Sequence, residues 1–239
     1  MRIKQFIKKH GDVCSDWSLS GFGSLDYDAP NKADIFLNYA ETDLSNETDA
    51  GNVNALSNAK RAIDCQVEQL INLLGLKKEK SFPRKLSHMK SIGLIAPRIL
   101  EKVNQTRNML EHEFVHPERS QAEDAVDVAT LFVKLTNTIF YNFYHEFEMH
   151  ESFDDFWKRG EHETFCFGET ASGLMIRFDG QKSPYFEAIG YLKDNNVMRY
   201  KITKDFPEYL PLLRAFVQLS TTDLGPDDIF KTMCGEINT

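Results

Sequence analysis

Between Leu56 and Leu74 the apolar residues Leu56, Ala59, Ile63, Val67, Leu70 and Leu74 recur at steps of three and four, and Gly75 follows directly. That spacing puts one apolar stripe along a helix, and the glycine stands where a helix commonly ends in the left-handed region. Arg61, Asp64 and Glu68 fall on other positions of the same helix. A stripe of this length is stable only against other helices, so the pattern predicts an α-helical bundle.

The flanking residues supply the partners. From Asn31 a helix is expected with Phe36, Tyr39, Ala40 and Leu44 on one stripe, broken around Gly51. Ser81-Phe82-Pro83 starts a short helix through Leu86, Met89 and Ile92, which Gly93 closes. Pro97 suits the first turn of the next, where its missing N–H is harmless. This helix carries Ile99, Leu100, Val103, Arg107, Leu110 and Phe114, and Pro117 stops it near Val115. Ser120 and Glu123 form a capping-box pattern before the longest helix, expected to run from Val126 through Phe140, Phe143, Tyr144 and Phe147.

After Phe156 the character changes. Leu174–Phe178, Tyr185–Leu192 and Val197–Ile202, with Thr164–Phe167, are short and rich in aromatic and β-branched residues, with Asp179-Gly180 and Asp194–Asn196 as turns. These predict an antiparallel meander, followed by helices over 207–219 and 226–233. The expected class is mainly α: a helical bundle over 31–152 and a small α+β subdomain over 153–239. Residues 1–30 are expected to form a short amphipathic helix and a connector.

Composition excludes several classes. No apolar run approaches the roughly 18 residues of a membrane helix, and the basic N-terminus lacks a signal-peptide core, so a cytoplasmic, membrane-free protein is expected. Cys14, Cys65, Cys166 and Cys234 are scattered, which argues against a disulfide framework or thiolate metal site. A net charge of −8 argues against a broad electropositive surface for long nucleic acids, but not against a local basic cleft. Lys and Arg do gather between Lys77 and Arg107.

The chemistry concentrates in Thr106-Arg107-Asn108-Met109-Leu110-Glu111-His112-Glu113-Phe114-Val115-His116-Pro117. One reading takes His112, Glu113 and His116 as the H-E-x-x-H signature of a zinc hydrolase. Against it, Pro117 leaves His116 at a fraying boundary, and positions 119 and 122 hold Arg119 and Ala122 rather than the glycine and third histidine of an extended motif. The other reading takes Arg107 as the cation that stabilises charge on phosphorus and His112 as the base for a ribose 2′-OH. Asn108 would bond a phosphate or hold the imidazole tautomer.

Arg107-Asn108, then three residues, then His112, four positions between the arginine and the histidine, resembles the motif of the HEPN superfamily (higher eukaryotes and prokaryotes nucleotide-binding). The resemblance extends to the Arg-Asn-x-x-Glu-His-Glu-Phe run, to Pro117, to the acidic Glu123–Asp127 segment and to Asn54–Asp64, roughly residues 31–150. It implies a HEPN-like bundle and a metal-independent endoribonuclease of the toxin or phage-defence type, needing no cofactor, or alternatively a non-catalytic nucleotide- or RNA-binding module. Arg107, His112 and Asn108 would be catalytic, Glu111 and Asp64 supporting, and Arg98 and Lys102 RNA-binding. It also implies a homodimer, with two copies of the motif lining one cleft, and a partner protein or antitoxin as regulator. Phe114 departs from relatives that carry a modifiable tyrosine two positions after the histidine. On an unbroken helix, five residues leave Arg107 and His112 about 140° apart, which is why a second protomer is expected to complete the site.

Other groups invite attention. His145 and His150 stand among Glu146, Glu148 and Glu151, read here as a solvated helix end rather than a metal site, and Tyr185, Phe186, Tyr191 and Tyr200 read as sheet core rather than base-stacking groups.

Overall fold

The computed structural model describes residues 3–12, 14–25, 32–94, 97–113, 116–150, 173–181, 183–191, 197–222 and 224–236; the side chains of residues 97–99, 107, 110–113 and 191 lie outside that description. Eight helices and five strands are present among the described residues. They divide into two compact units, a helical one over 27–140 and a sheet-containing one formed by 1–26 together with 141–239.

The helical unit contains α2 (Lys32–Ser45), α3 (Asp49–Leu73), α4 (Phe82–Ser91), α5 (Pro97–Glu113) and α6 (Arg119–Tyr141). α3 is its axis, and the expected stripe from Leu56 to Leu74 is fully buried. Each large aliphatic side chain so buried contributes roughly 1.5–3 kcal/mol. Ala33, Ala40, Ala55, Ala59, Ala62, Ala122, Ala125 and Ala129 are buried as well, and their small side chains let the helices pack closely. α6 docks on α3 through Gln66, whose Nε2 donates to Thr136 Oγ1 and Asn137 Oδ1, both at 2.8 Å. α4 is clasped to α3 by Lys85–Glu68 and by Lys60, which lies 3.8 Å over the Phe82 ring. Gly75 (φ 63°) and Gly93 (φ 82°) end α3 and α4 in the left-handed region, as expected. In both, the next two N–H groups return to the last turn: Gly75 N–H to Asn72 O with Leu76 N–H to Ile71 O, and Gly93 N–H to Lys90 O with Leu94 N–H to Met89 O.

Two helix starts differ from expectation. The break before α3 falls at Thr48, whose hydroxyl accepts from the Gly51 N–H at 3.0 Å; Gly51 lies inside the first turn. A β-carbon there would stand 2.5 Å from the Asp43 carbonyl oxygen, so the glycine serves close approach rather than breaking the helix. At the start of α6 the residue reaching back is Gln121, whose Oε1 accepts from the Glu118 N–H, while Glu123 pairs with Arg119.

The second unit holds α1 (Ile3–Gly11), β1 (Asp16–Ser20), β2 (Glu146–His150), β3 (Gly173–Asp179), β4 (Tyr185–Tyr191), β5 (Val197–Thr203), α7 (Tyr209–Thr221) and α8 (Pro226–Met233). The strands form one antiparallel sheet in the order β1-β2-β3-β4-β5. Leu19, Phe147, Ile176, Ala188 and Tyr200 lie in register across it. That face packs on α1 and α7 through a chain of rings: Phe143–Phe178 at 5.3 Å, Phe178–Phe186 at 5.0 Å and Phe186–Phe216 at 5.2 Å. Phe6 meets Tyr200 at 4.7 Å. Phe186 and Tyr200 thus serve packing.

The expected partition is corrected here. The long helix stops at Tyr141 instead of running to Phe147, so the boundary lies near residue 141, not 152. Phe143 and Phe147 satisfy helical spacing with Phe140, yet Phe147 and Met149 also alternate with Glu146, Glu148 and His150 at a period of two. Pairing on both sides, with β1 and β3, selects the strand. The N-terminal connector is likewise a strand of the sheet, not a link into the bundle. The expected strand at 164–167 and turn at 194–196 lie outside the described residues. β3, β4, β5, α7 and α8 fall where the sequence placed them.

Candidate functional site

α5 positions the central motif. It is an unbroken helix from Pro97 to Glu113, so the motif's arginine and histidine positions keep the expected separation of about 140° around its axis. Its buried row is marked by Leu100 and Val103, at 3% and 6% exposure, and position 107 follows these by seven and four residues. Glu101, Lys102, Gln105, Asn108 and Met109 are exposed. Position 112 is four residues beyond Asn108, seven beyond Gln105 and three beyond Met109, so by register it falls on the same side of the helix. Within one chain the helix therefore aligns Asn108 with position 112 and sets position 107 in register with Leu100 and Val103.

The other expected residues divide as follows. Lys102 is exposed, and its carbonyl accepts from Thr106 Oγ1. Asp64 is engaged by Lys60 of the same helix. The side chains of Arg98, Arg107, Glu111 and His112 lie outside the described residues.

The zinc arrangement loses its scaffold. His116 lies three residues past the end of α5 and is exposed, so the two histidines do not share one helix as H-E-x-x-H requires. Among the described residues no group of three or more His, Cys, Asp or Glu side chains is placed to hold a metal ion.

Beside the motif lies a groove of about 510 Å³ between α5 and α6. Lys102, Gln105, Thr106 and Met109 line it from α5, and Gln121, Asp124, Asp127, Val128 and Leu131 from α6. Leu131 and Met109 present apolar surface, at 72% and 42% exposure. The acidic segment at the start of α6 was part of the sequence pattern, but the groove itself was not legible: it arises from which faces of α5 and α6 meet.

A second polar cluster also escaped the sequence reading. On the sheet face opposite the ring cluster, Ser18 Oγ donates to Glu148 Oε2 and contacts His150 Nε2, both at 3.2 Å, while Ser20 Oγ donates to Glu146 Oε2 at 2.8 Å. Arg177 closes the array by pairing with Glu146. Glu148 and His150 are buried, not the solvated helix end expected from sequence. Burial raises the Glu148 carboxyl above the usual range, against the hydrogen bonds from Ser18 and Ser20, and lowers the His150 imidazole.

Comparison with protein-family models, with curated proteins and with solved structures found no match for this chain. Among the described residues no helix is long and apolar enough to cross a membrane.

Proposed function

We propose that this protein is a metal-independent endoribonuclease of the HEPN type, acting as a homodimer in which His112 of one chain works with Arg107 of the other. What supports this reading is that Asn108 and position 112 fall on one side of a continuous helix, beside a groove large enough for a nucleotide. An imidazole there can take the ribose 2′-OH proton, since its pKa lies near neutrality. The oxygen then attacks phosphorus, a guanidinium holds the non-bridging oxygens, and the P–O5′ bond breaks, the leaving 5′-oxygen taking a proton from water. The products are a 2′,3′-cyclic phosphate and a 5′-hydroxyl end. Asn108 bonds the phosphate or the imidazole, and Lys102 and Arg98 draw the strand along α5.

The second reading, a module that binds RNA or nucleotide without cutting it, is favoured by one observation. Position 107 shares the row of buried Leu100 and Val103, where an arginine would serve the bundle. One assay separates the two. Total RNA is incubated with wild type, Arg107→Ala and His112→Ala in EDTA, and the ends of any products are mapped. Cleavage by wild type alone, leaving cyclic phosphate ends, supports the nuclease; retention of RNA without cleavage supports the module.

A further inference from the structure

We infer that the groove between α5 and α6 is a base-specificity subsite that seats a guanine next to the scissile phosphate; this rests on the RNA-directed reading of α5. Its lining combines two kinds of surface. Met109 and Leu131, both exposed, and Val128 offer an apolar platform for a flat ring. Asp124 and Asp127 on α6 bring carboxylates, and Gln105 and Gln121 bring amides, to the same groove.

Among the described lining residues the two carboxylates outnumber the single cation, Lys102, and repel phosphate, so the groove fits a base and leaves Lys102 to meet a phosphate of the same strand. A carboxylate offers two acceptor oxygens side by side. Guanine alone among the four RNA bases presents two parallel N–H donors, N1–H and N2–H, from neighbouring atoms of its Watson–Crick edge. Adenine, cytosine and uracil each oppose one of those oxygens with an acceptor or with nothing, and a single strand exposes the edge for reading. The Gln121 amide is partly fixed, because its Oε1 accepts from the Glu118 N–H at 2.9 Å, which leaves its NH₂ to donate toward the guanine O6.

Position along α5 ties the groove to the motif. Gln105 and Met109 precede position 112 by seven and three residues, or about 10 and 4.5 Å along the axis. A base resting on Met109 therefore lies within one nucleotide's length of position 112 along the helix axis. The 2′-OH to be deprotonated would be that of the seated guanosine, and cleavage would fall on its 3′ side.

The test uses the full-length wild-type chain and fluorescein-labelled 2′-O-methyl RNA hexamers, which cannot be cut because the attacking hydroxyl is blocked. The hexamers are all-cytidine or carry a single guanine, adenine or uracil. Binding of the guanine hexamer at least tenfold tighter than the others, reduced to within twofold in Asp124→Asn or Asp127→Asn, is the expected result. Both aspartates are exposed, so these variants are expected to fold, and unchanged circular dichroism checks it. Equal binding of all four hexamers, or a guanine preference that survives both substitutions, overturns the subsite while leaving the nuclease reading standing. If no hexamer binds and ordinary RNA also stays intact in EDTA, the nuclease reading itself falls.

Discussion

The imidazole of His10 on α1 lies directly against the bare backbone of Gly190 in β4: a β-carbon added there would stand 2.8 Å from both its Cε1 and its Nε2. Phe6 crowds the same point, at 2.8 Å from that carbon. Gly190→Ala is therefore expected to destabilise the sheet-containing unit by about 1–3 kcal/mol through overpacking. Urea unfolding followed by tryptophan fluorescence measures it, and a midpoint equal to that of wild type would refute the contact.

Acid should loosen the same unit. Burial, helped by the charge of Lys9, lowers the His10 imidazole, and burial lowers His150 against the pull of Asp16. A histidine depressed in the folded state binds its proton more readily when unfolded. The stability it contributes is whole above the ordinary value near 6.5 and is lost as pH falls through the folded value. Glu148, shifted upward, works the other way: it favours the folded state at low pH and loses that contribution as pH rises through its raised value. Between pH 7 and 5.5 the urea midpoint is expected to fall, and His10→Gln should flatten that slope by up to about 1.4 kcal/mol per pH unit.

Gln66 holds α3 and α6 together from a position with no solvent exposure. Gln66→Ala strands the Asn137 carbonyl and opens a void, for an expected loss of about 1–3 kcal/mol. Thermal unfolding followed by helical circular dichroism reads it, and an unchanged midpoint would show the network to be dispensable.

A shared site makes a kinetic prediction. Arg107→Ala and His112→Ala chains, each inactive, should regain about a quarter of wild-type turnover when mixed and allowed to exchange, because half of the dimers then carry one complete site of two. Mixtures that stay inactive, although exchange is shown by native mass spectrometry, would exclude a site built from two chains.

Cys234 offers a test of packing. Burial pushes its thiol up to about 11, so at pH 8 only about a thousandth is thiolate. Iodoacetamide should leave it unmodified in the folded protein and label it in urea, as peptide mass spectrometry will show.

The sequence carried the helical unit well because its information is local. The row from Leu56 to Leu74, the glycines at 75 and 93 and the proline at 97 each act within one or two turns. It carried the sheet in part for the same reason: β3, β4 and β5 follow one another and alternate visibly. What it hid depends on distant pairing. Residues 16–20 look like a polar connector, and 146–150 continue a helical spacing; only their mutual register shows both as strands. The Ser18–Glu148–His150 array was hidden for that reason. At the motif, the angular separation of positions 107 and 112 was legible from helix geometry, whereas the burial of Leu100 and Val103 and the groove beside α6 are products of assembly.

Gly23 and Phe143 exchange backbone hydrogen bonds, at 3.0 and 2.9 Å, where the chain leaves the sheet-containing unit and where it returns. Everything between is an excursion of about 120 residues, and closing so long an unfolded loop costs roughly 4 kcal/mol of chain entropy. On a growing chain β1 therefore has no seat in the sheet until β2, about 130 residues later, has been made.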